Sequence, residues 1–322
     1  MYKYVYMYMY KKGSVKVEAL KVISNITPVI DCDSAILEYV KTLDVKPKSK
    51  ETYTKALRVF FNWNNGVIPT HRADILAYKQ HLTNNYSAST INAYITAIKG
   101  FYAFLEAEGY CPNVTANIKG VKNSKGFKKD ALTIAQAKTL LNNNGDSLEE
   151  KRNTAIITLM IHTGLRTVEI ERANIEDIRQ TGGATLLYIQ GKGRDTKDEF
   201  VILTADVIEP LTEYLNCRGK CNPSEPLFAA TSNRNQNGRL TTRSISRIIK
   251  NALIDVGIDS DRITAHSLRH TAVTLSLLGG ATIQEAQQLA RHSNINTTLI
   301  YAHNINRIKN AAERNIADVL RA

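Results

Sequence analysis

The chain has 322 residues, more than one ordinary hydrophobic core organises, so we expect two domains of roughly 100 to 200 residues each. Hydrophobic residues make up 43% of it, which excludes a disordered protein. Lys and Arg number 42 against 30 Asp and Glu, a net charge of +12, so the expected partner is a polyanion such as DNA, RNA or an acidic membrane surface. A membrane is the weaker choice, because no apolar run reaches about 18 residues.

The N-terminal residues alternate in type. Tyrosine occupies every even position from Tyr2 to Tyr10, and this period of two indicates a β-strand. We assign residues 1–31 to an N-terminal extension that lacks the apolar core and the small-residue cleavage site of a signal peptide.

Cysteine usage indicates a reducing compartment. The chain has four cysteines, too few for a disulfide framework, so we expect a cytoplasmic protein: Cys32, Cys111, Cys217 and Cys221. The C-x3-C spacing of the last two has no second Cys or His pair at zinc-site spacing, and ordinary thiols are favoured there.

Residues 32–115 are predicted to form a helical domain. The first two helices are expected from Ser34 to Leu43 and from an N-cap at Ser49, and a third near residues 71–82. A fourth has a regular apolar stripe and stops at Gly109. Four helices with short connections form a small bundle.

A basic segment follows at residues 116–130 and reads as an interdomain linker. It is either a solubilising loop or a stretch that lies along phosphates. The lysines concerned are Lys119, Lys122, Lys125, Lys128 and Lys129.

Residues 131–322 are expected to form a second domain of helices and a few strands. A helix over 151–163 ends at Gly164 and leaves Arg166 on the turn that follows. The β-rich runs 184–190 and 199–204 predict a hairpin with Lys192 at its basic tip.

A helix beginning near Thr242 has one apolar and one basic face. The basic face is either merely solvated or enters a DNA groove, and it carries Arg243, Arg247 and Lys250.

The last part of the chain is predicted to be helical. In the stretch TAHSLRHT, His266, Arg269 and His270 have the i, i+3, i+4 spacing of one helix face. The capping-box pattern at Thr282 starts a helix that runs to about His292. The segment 307–322 has an apolar stripe that packs on its own domain or on a neighbouring protomer.

Missing motifs exclude several enzyme classes. The chain has no G-x-x-x-x-G-K-[ST], no H-E-x-x-H and no carboxylate cluster, which argues against ATP-driven motors, zinc proteases and metal-dependent nucleases. Without a metal, fixed arginines have to stabilise the charge of a phosphoryl transition state. Arg166 and Arg269 are the candidates.

Four motifs together resemble the tyrosine recombinase family, also called the phage integrase family, which includes Xer-like proteins. They are TGLRTVEI (163–170), GKG (191–193), HSLRHT (266–271) and ARHSNINTTLIYAH (290–303). The resemblance covers nearly the whole chain. It implies a mainly α fold with a small β-sheet, built from an N-terminal four-helix core-binding domain and a mixed α/β catalytic domain whose C-terminal helix links protomers.

The resemblance also implies roles for individual residues. Arg166 and Arg269 would hold the scissile phosphate, and His266 and His292 would complete the anion site. Tyr301 would attack phosphorus to give a 3′-phosphotyrosine. The general acid that protonates the 5′-oxygen would be Lys192, and neither cofactor nor metal would be needed.

The implied function is site-specific DNA recombination through a Holliday junction in a homo-tetramer on a double-stranded recombination site, with an accessory protein as a further partner. The protein would lie in the cytoplasm, at the nucleoid when bound to DNA. Chromosome-dimer resolution and mobile-element integration, excision or resolution all stay open, with a slight preference for a mobile element. A type IB topoisomerase-like enzyme and a catalytically silent DNA-binding regulator are the alternatives.

One departure from the family pattern concerns the turn before His292. The family commonly has Leu-Gly there, and this chain has Ala290 and Arg291, which puts the local turn in doubt.

A zinc site formed by His266, His270 and His292 is an alternative use of the histidines, which the neighbouring Arg269 disfavours.

Overall fold

The computed structural model describes residues 7–11, 14–18, 31–122, 130–191, 193–233, 235–310 and 312–321. Its contacts divide the chain into two compact units, Met1–Lys125 and Gly126–Ala322. The fold is mainly α with a small sheet, as the sequence predicted. The finer domain boundaries drawn from the sequence stay a prediction.

The described residues of the first unit form a β-hairpin and four helices. Strand β1 (Met7–Lys11) pairs antiparallel with β2 (Ser14–Glu18). The strand predicted from the tyrosine alternation is thus confirmed at Tyr8 and Tyr10, Tyr2 to Tyr6 lie outside the described residues, and the pairing strand was not predicted. The four helices are α1 (Cys32–Thr42), α2 (Pro47–Trp63), α3 (Arg72–Asn85) and α4 (Ala88–Ala107).

Helix α2 begins two residues earlier than the predicted cap. Pro47 is in its first turn and Lys46 is the N-cap, so the N-cap assigned to Ser49 was wrong. The fixed φ of proline suits a first helical turn, where its missing N–H leaves no hydrogen bond unmade.

Aromatic side chains fill the core of the first unit. The stripe of α4 is buried there, and the Tyr102 hydroxyl donates to the Pro69 carbonyl over 2.8 Å. Phe60 packs edge-on against Tyr78, with ring centroids 4.9 Å apart. The predicted apolar stripes therefore pack against one another to form this unit.

The second unit places a three-stranded sheet among helices. Helices α5 (Ile134–Leu141), α6 (Leu148–Thr163) and α7 (Thr167–Arg172) come first. They are followed by antiparallel strands in the order β3 (Ile178–Thr181), β4 (Ala184–Ile189) and β5 (Glu199–Leu203). The β4–β5 hairpin was predicted from the sequence, and β3 was not.

Six further α-helices follow in the described residues of the second unit. They are α8 (Ala205–Arg218), α9 (Thr242–Asp255), α10 (Ala265–Leu278), α11 (Ile283–Ala290), α12 (Ile295–Lys309) and α13 (Ala312–Arg321). The segment predicted as one final helix is divided, because its first residues end α12. Among the residues that the structure describes, no helix has the length and apolar character needed to cross a membrane.

Helix α6 is the centre of the second unit. It is buried along most of its length, and Gly164 ends it with φ of 62°, a left-handed conformation that glycine adopts without strain. The turn that follows brings Leu165 into the core and Arg166 to the start of α7. This turn positions the first residue of the candidate site.

Candidate active site

Three separate segments meet in the second unit. They are the turn after α6, the first turns of α10, and the segment from the end of α11 into α12. The Arg269 guanidinium on α10 joins all three, because it donates to the carbonyl of Gly164 over 2.7 Å and to the carbonyl of Ala290. The His292 ring and the Tyr301 ring of the third segment are stacked, with centroids 6.3 Å apart.

Arg269 is a buried cation, with 2% of its surface exposed. Burial lowers the pKa of Arg269 to about 9, helped by the charges of Arg166 and Arg291. The guanidinium therefore stays charged at neutral pH. Two carbonyls fix it and leave its planar fork rigid.

Arg166 is paired with a carboxylate that is completely buried. Its guanidinium Nη1 donates to Oε1 of Glu169 over 2.7 Å, and its backbone N–H donates to Oε2 over 2.8 Å. The Arg166 side chain is 27% exposed and Glu169 is 0% exposed, so the arginine faces outward from a buried anchor.

Glu169 is ionised although it is buried. Burial raises the pKa of its carboxyl, but the Arg291 charge, the Arg166 backbone hydrogen bond and the Arg166 guanidinium together outweigh it and lower the pKa below the usual value.

The histidines of the site are neutral at neutral pH. Burial lowers the pKa of His292 to about 4, reinforced by Arg269 and Arg166, and the same causes lower the pKa of His266. The Nδ1 atom of His292 lies 2.9 Å from the hydroxyl of the buried Thr298. When Nδ1 accepts that hydroxyl, Nε2 carries the proton and can donate to an anion.

Tyr301 lies on α12 with 4% of its surface exposed. Its hydroxyl forms a hydrogen bond with Nδ1 of His270. Burial raises the pKa of Tyr301 to about 12, although Arg269 acts in the opposite direction. Burial, then His266 and Arg269, lowers the pKa of His270 to about 4, so a neutral phenol faces a neutral imidazole.

Family comparisons identify this arrangement. The model of the phage integrase family matches residues 130–307. A phage integrase N-terminal SAM-like domain matches residues 34–109. The chain belongs to the phage integrase family. It is a tyrosine recombinase, as its four motifs predicted.

Curated relatives agree with this assignment. Tyrosine recombinase XerC of Halalkalibacterium halodurans is 30% identical over 286 residues, which cover 84% of this chain and 91% of the relative. A tyrosine recombinase of Synechococcus elongatus is 26% identical over 303 residues, covering 88% of this chain and 93% of the relative. The topoisomerase and silent-regulator alternatives are not favoured.

Solved structures share the fold. XerH recombinase bound to a palindromic difH substrate has a TM-score of 0.68 at 20% identity, covering 89% of this chain and 90% of that one. A lambda integrase dimer bound to a COC′ core site has a TM-score of 0.65 at 19% identity, covering 83% of this chain and 96% of that one.

The recombinase brings most of the candidate catalytic residues together. Lys192 lies outside the described residues. The His266 ring packs edge-on against the His270 ring, with centroids 4.6 Å apart. The other five therefore lie in one site: Arg166, His266, Arg269, His292 and Tyr301.

Half of the candidate DNA-contact residues are exposed. Lys119 and Lys122 are exposed in the first unit, as are Arg243 and Arg247 on α9. Lys250 is half-buried and donates to Oδ1 of Asp259 over 2.8 Å. Three linker lysines lie outside the described residues: Lys125, Lys128 and Lys129.

A cavity of about 510 Å³ joins α9 to the site. Ser246 and Lys250 line it on one side, and Arg166 and His266 line it on the other. Lys250 of the basic face of α9 therefore lines a cavity that also reaches Arg166 and His266 of the candidate site.

Four residues of the site were missed as functional candidates: Glu169, His270, Arg291 and Thr298. Glu169 has a sequence signal, because it follows Arg166 at the three-residue spacing of a capping box. His270 was placed with His266 and Arg269 on one helix face and in the zinc alternative, and was given no catalytic role. Within the described part of the chain, no three His, Cys, Asp or Glu side chains have the geometry to hold a metal ion.

The turn before His292 forms although it has no glycine. Arg291 adopts φ of 50° and ψ of 49°, the left-handed conformation that ends α11. The doubt that the sequence raised about this turn is thus removed.

Proposed function

We propose that this recombinase cuts and rejoins DNA at specific sites through a covalent bond between Tyr301 and a 3′-phosphate, with a Holliday junction as intermediate. The observation that carries the proposal is the placement of the Tyr301 hydroxyl in one buried site with the fixed guanidinium of Arg269. Arg269 lies close enough to Tyr301 for its charge to act against the burial of the phenol.

The scissile phosphate would bind to the arginines. Arg166 faces outward from Glu169 and would donate to oxygens that gain charge in the transition state, while the rigid, buried Arg269 would add its fixed positive charge. The neutral His266 and His292 would donate hydrogen bonds to the same oxygens. Such a site needs no metal to stabilise the pentacoordinate phosphorus.

Proton transfers accompany the attack. The bond from the Tyr301 oxygen to phosphorus forms as the bond from phosphorus to the 5′-oxygen breaks. The Tyr301 proton would pass to Nδ1 of His270, which already forms a hydrogen bond with it. The negative phosphate raises the basicity of that imidazole when DNA binds. Lys192 would give a proton to the 5′-oxygen, and reversal of these steps rejoins the strand without ATP.

The partners follow from the same reasoning. Proteins of similar fold include XerH bound to a difH substrate and a lambda integrase dimer bound to a core site, and in both the partner is DNA. The exposed Arg243 and Arg247 would contact phosphates beside the site. We propose that the protein lies in the cytoplasm, where it meets the DNA. We also propose an accessory protein as a further partner.

A homo-tetramer on DNA would use the last helix. Helix α13 exposes apolar side chains along one side, with Ile316 at 60%, Val319 at 76% and Leu320 at 81% exposed. Docking of this helix on a neighbouring protomer would bury them. The same assignment makes residues 32–115 the core-binding domain and 131–322 the catalytic domain.

The decisive experiment traps the covalent complex. The site is first selected from random duplexes by binding, and a nicked version of it is then incubated with wild-type protein or Tyr301→Phe in the presence of EDTA. We expect a 3′-linked adduct with the wild-type protein only, and similar DNA affinity for both, because the substitution removes one hydroxyl. An adduct with Tyr301→Phe, or none with wild type on DNA that it binds, would contradict the proposal.

A further inference from the structure

Arg291 occupies a backbone conformation that arginine rarely adopts. It ends α11 with φ of 50°, where a Cβ atom crowds the neighbouring carbonyl and glycine is strongly preferred. The chain therefore keeps a long charged side chain at a position that strains its backbone. The contacts of that side chain explain what it contributes.

The Arg291 side chain turns inward and is 7% exposed. Its Nη2 donates to Oε2 of Glu169 over 3.0 Å and to the Gly164 carbonyl over 3.3 Å. Its Nη1 donates to the Leu289 carbonyl over 2.7 Å. The guanidinium is thus fixed from three directions.

Each of the first two acceptors is shared with an arginine of the site. Glu169 also accepts from the guanidinium and the backbone of Arg166. The Gly164 carbonyl also accepts from Arg269 over 2.7 Å. Arg291 therefore contacts the groups that hold both phosphate-binding arginines.

Charge balance gives Arg291 a second effect. Glu169 is buried and ionised. If Arg291 were absent, the negative charge of Glu169 would cancel the positive charge of Arg166. With Arg291 the three side chains together carry a net positive charge. The attraction of Arg166 for an anion is thereby preserved.

We propose that Arg291 is a positioning residue, which acts through Glu169 and the Gly164 carbonyl to orient Arg166 and Arg269 and to offset the Glu169 charge. The inference rests on the proposed function. It concerns residues that surround the reacting atoms and assigns Arg291 no contact with the DNA.

The test measures single-turnover cleavage of the nicked site. Arg291→Gly removes the side chain and relaxes the left-handed turn, so the variant should fold at least as well around that turn. We expect its cleavage rate to fall by about tenfold to a hundredfold, the range for a misplaced catalytic group, with DNA affinity near the wild-type value. Arg291→Lys keeps the charge without the planar fork and should recover part of the rate.

A matched control is Arg218→Met. Arg218 is also buried, at 3% exposure, and its partners are Glu225, Pro226 and Leu227. Its loss removes an equivalent set of contacts away from the site, so cleavage by folded protein should stay at the wild-type rate. An equal loss of cleavage rate with Arg218→Met would show that removing any buried arginine slows cleavage, and it would overturn the proposal.

A double-variant cycle tests the route through Glu169. In a Glu169→Gln background the carboxylate charge is gone, so Arg291→Gly should have a much smaller effect than in the wild type. Two results would overturn this inference even if the wild-type protein forms the Tyr301 adduct. One is a wild-type cleavage rate for Arg291→Gly, and the other is an equally large loss of rate when Arg291→Gly is added to Glu169→Gln. Absence of an adduct with the wild-type protein would overturn the proposed function and this inference together.

Discussion

The protonation states of single residues set the chemistry of the site. His270 and His292 each have a pKa of about 4, because burial and the neighbouring cations disfavour their charged forms. Tyr301 has a pKa of about 12 because of burial. Before DNA binds, the site therefore holds its positive charge on arginines, and its imidazoles serve as neutral partners.

These histidines predict how stability depends on pH. Their pKa is about 4 in the folded protein against 6.5 as the ordinary value, so between those two pH values the unfolded chain binds more protons. The free energy of unfolding should fall as pH drops from 6.5 to 4, by about 3 kcal/mol for the two histidines together, which is roughly half of what two independent shifts would give, because the groups interact and solvent screens them. This dependence is measured by urea unfolding of the protein at a series of pH values, from the free energy of the transition in which the second unit unfolds.

The matched variant for that measurement is the double substitution His270→Asn with His292→Asn. It should reduce the pH dependence over the same interval, because both imidazoles are gone, and leave only the part due to carboxylates that also titrate there. Identical pH dependence in the two proteins would show that these imidazoles are not buried in the neutral form.

At the scale of elements, the turn between α6 and α7 combines stability and positioning. Gly164 has a left-handed backbone, and its carbonyl accepts from Arg269 and Arg291. Gly182, in the turn between β3 and β4, has a similar φ of 60° without contacts to the site. Substituting the two glycines therefore separates the effect of backbone strain on stability from an effect on cleavage.

We predict that Gly164→Ala and Gly182→Ala each lower the free energy of unfolding by about 1 to 2 kcal/mol, the cost of a left-handed alanine. Only Gly164→Ala should also slow cleavage by folded protein, since a shifted carbonyl moves both arginines. Chemical denaturation and single-turnover cleavage on the same preparations check this. Equal cleavage rates for the two variants would refute the positioning role of the turn.

Elements with strong patterns could be predicted, and those that depend on partners could not. The end of α6 at Gly164 and the capping box at Thr282 were predicted and are confirmed. Both signals depend only on residues that are neighbours in the chain. Strand β3 is short and polar, and it exists through its pairing with β4. The contact of Arg291 with Glu169 joins residues 122 positions apart, so no local pattern indicates it.

At the scale of the whole molecule, the net charge of +12 predicts strongly salt-dependent DNA binding. Titrations at several salt concentrations should give a linear decline of log affinity with log salt concentration. If Arg243 and Arg247 contact phosphates, replacing either by alanine should reduce the slope by about one. An unchanged slope would remove that residue from the interface.

The burial of Tyr301 has a consequence for the period after strand cleavage. In the proposed reaction the nucleophile becomes a phosphodiester within a site where the side chain is 4% exposed. Bulk water would have little access to such a bond, so hydrolysis, which would leave a permanent break in the strand, should be slow compared with attack by a returning 5′-hydroxyl. The packing that raises the pKa of Tyr301 would thus also protect the DNA while the strand is open.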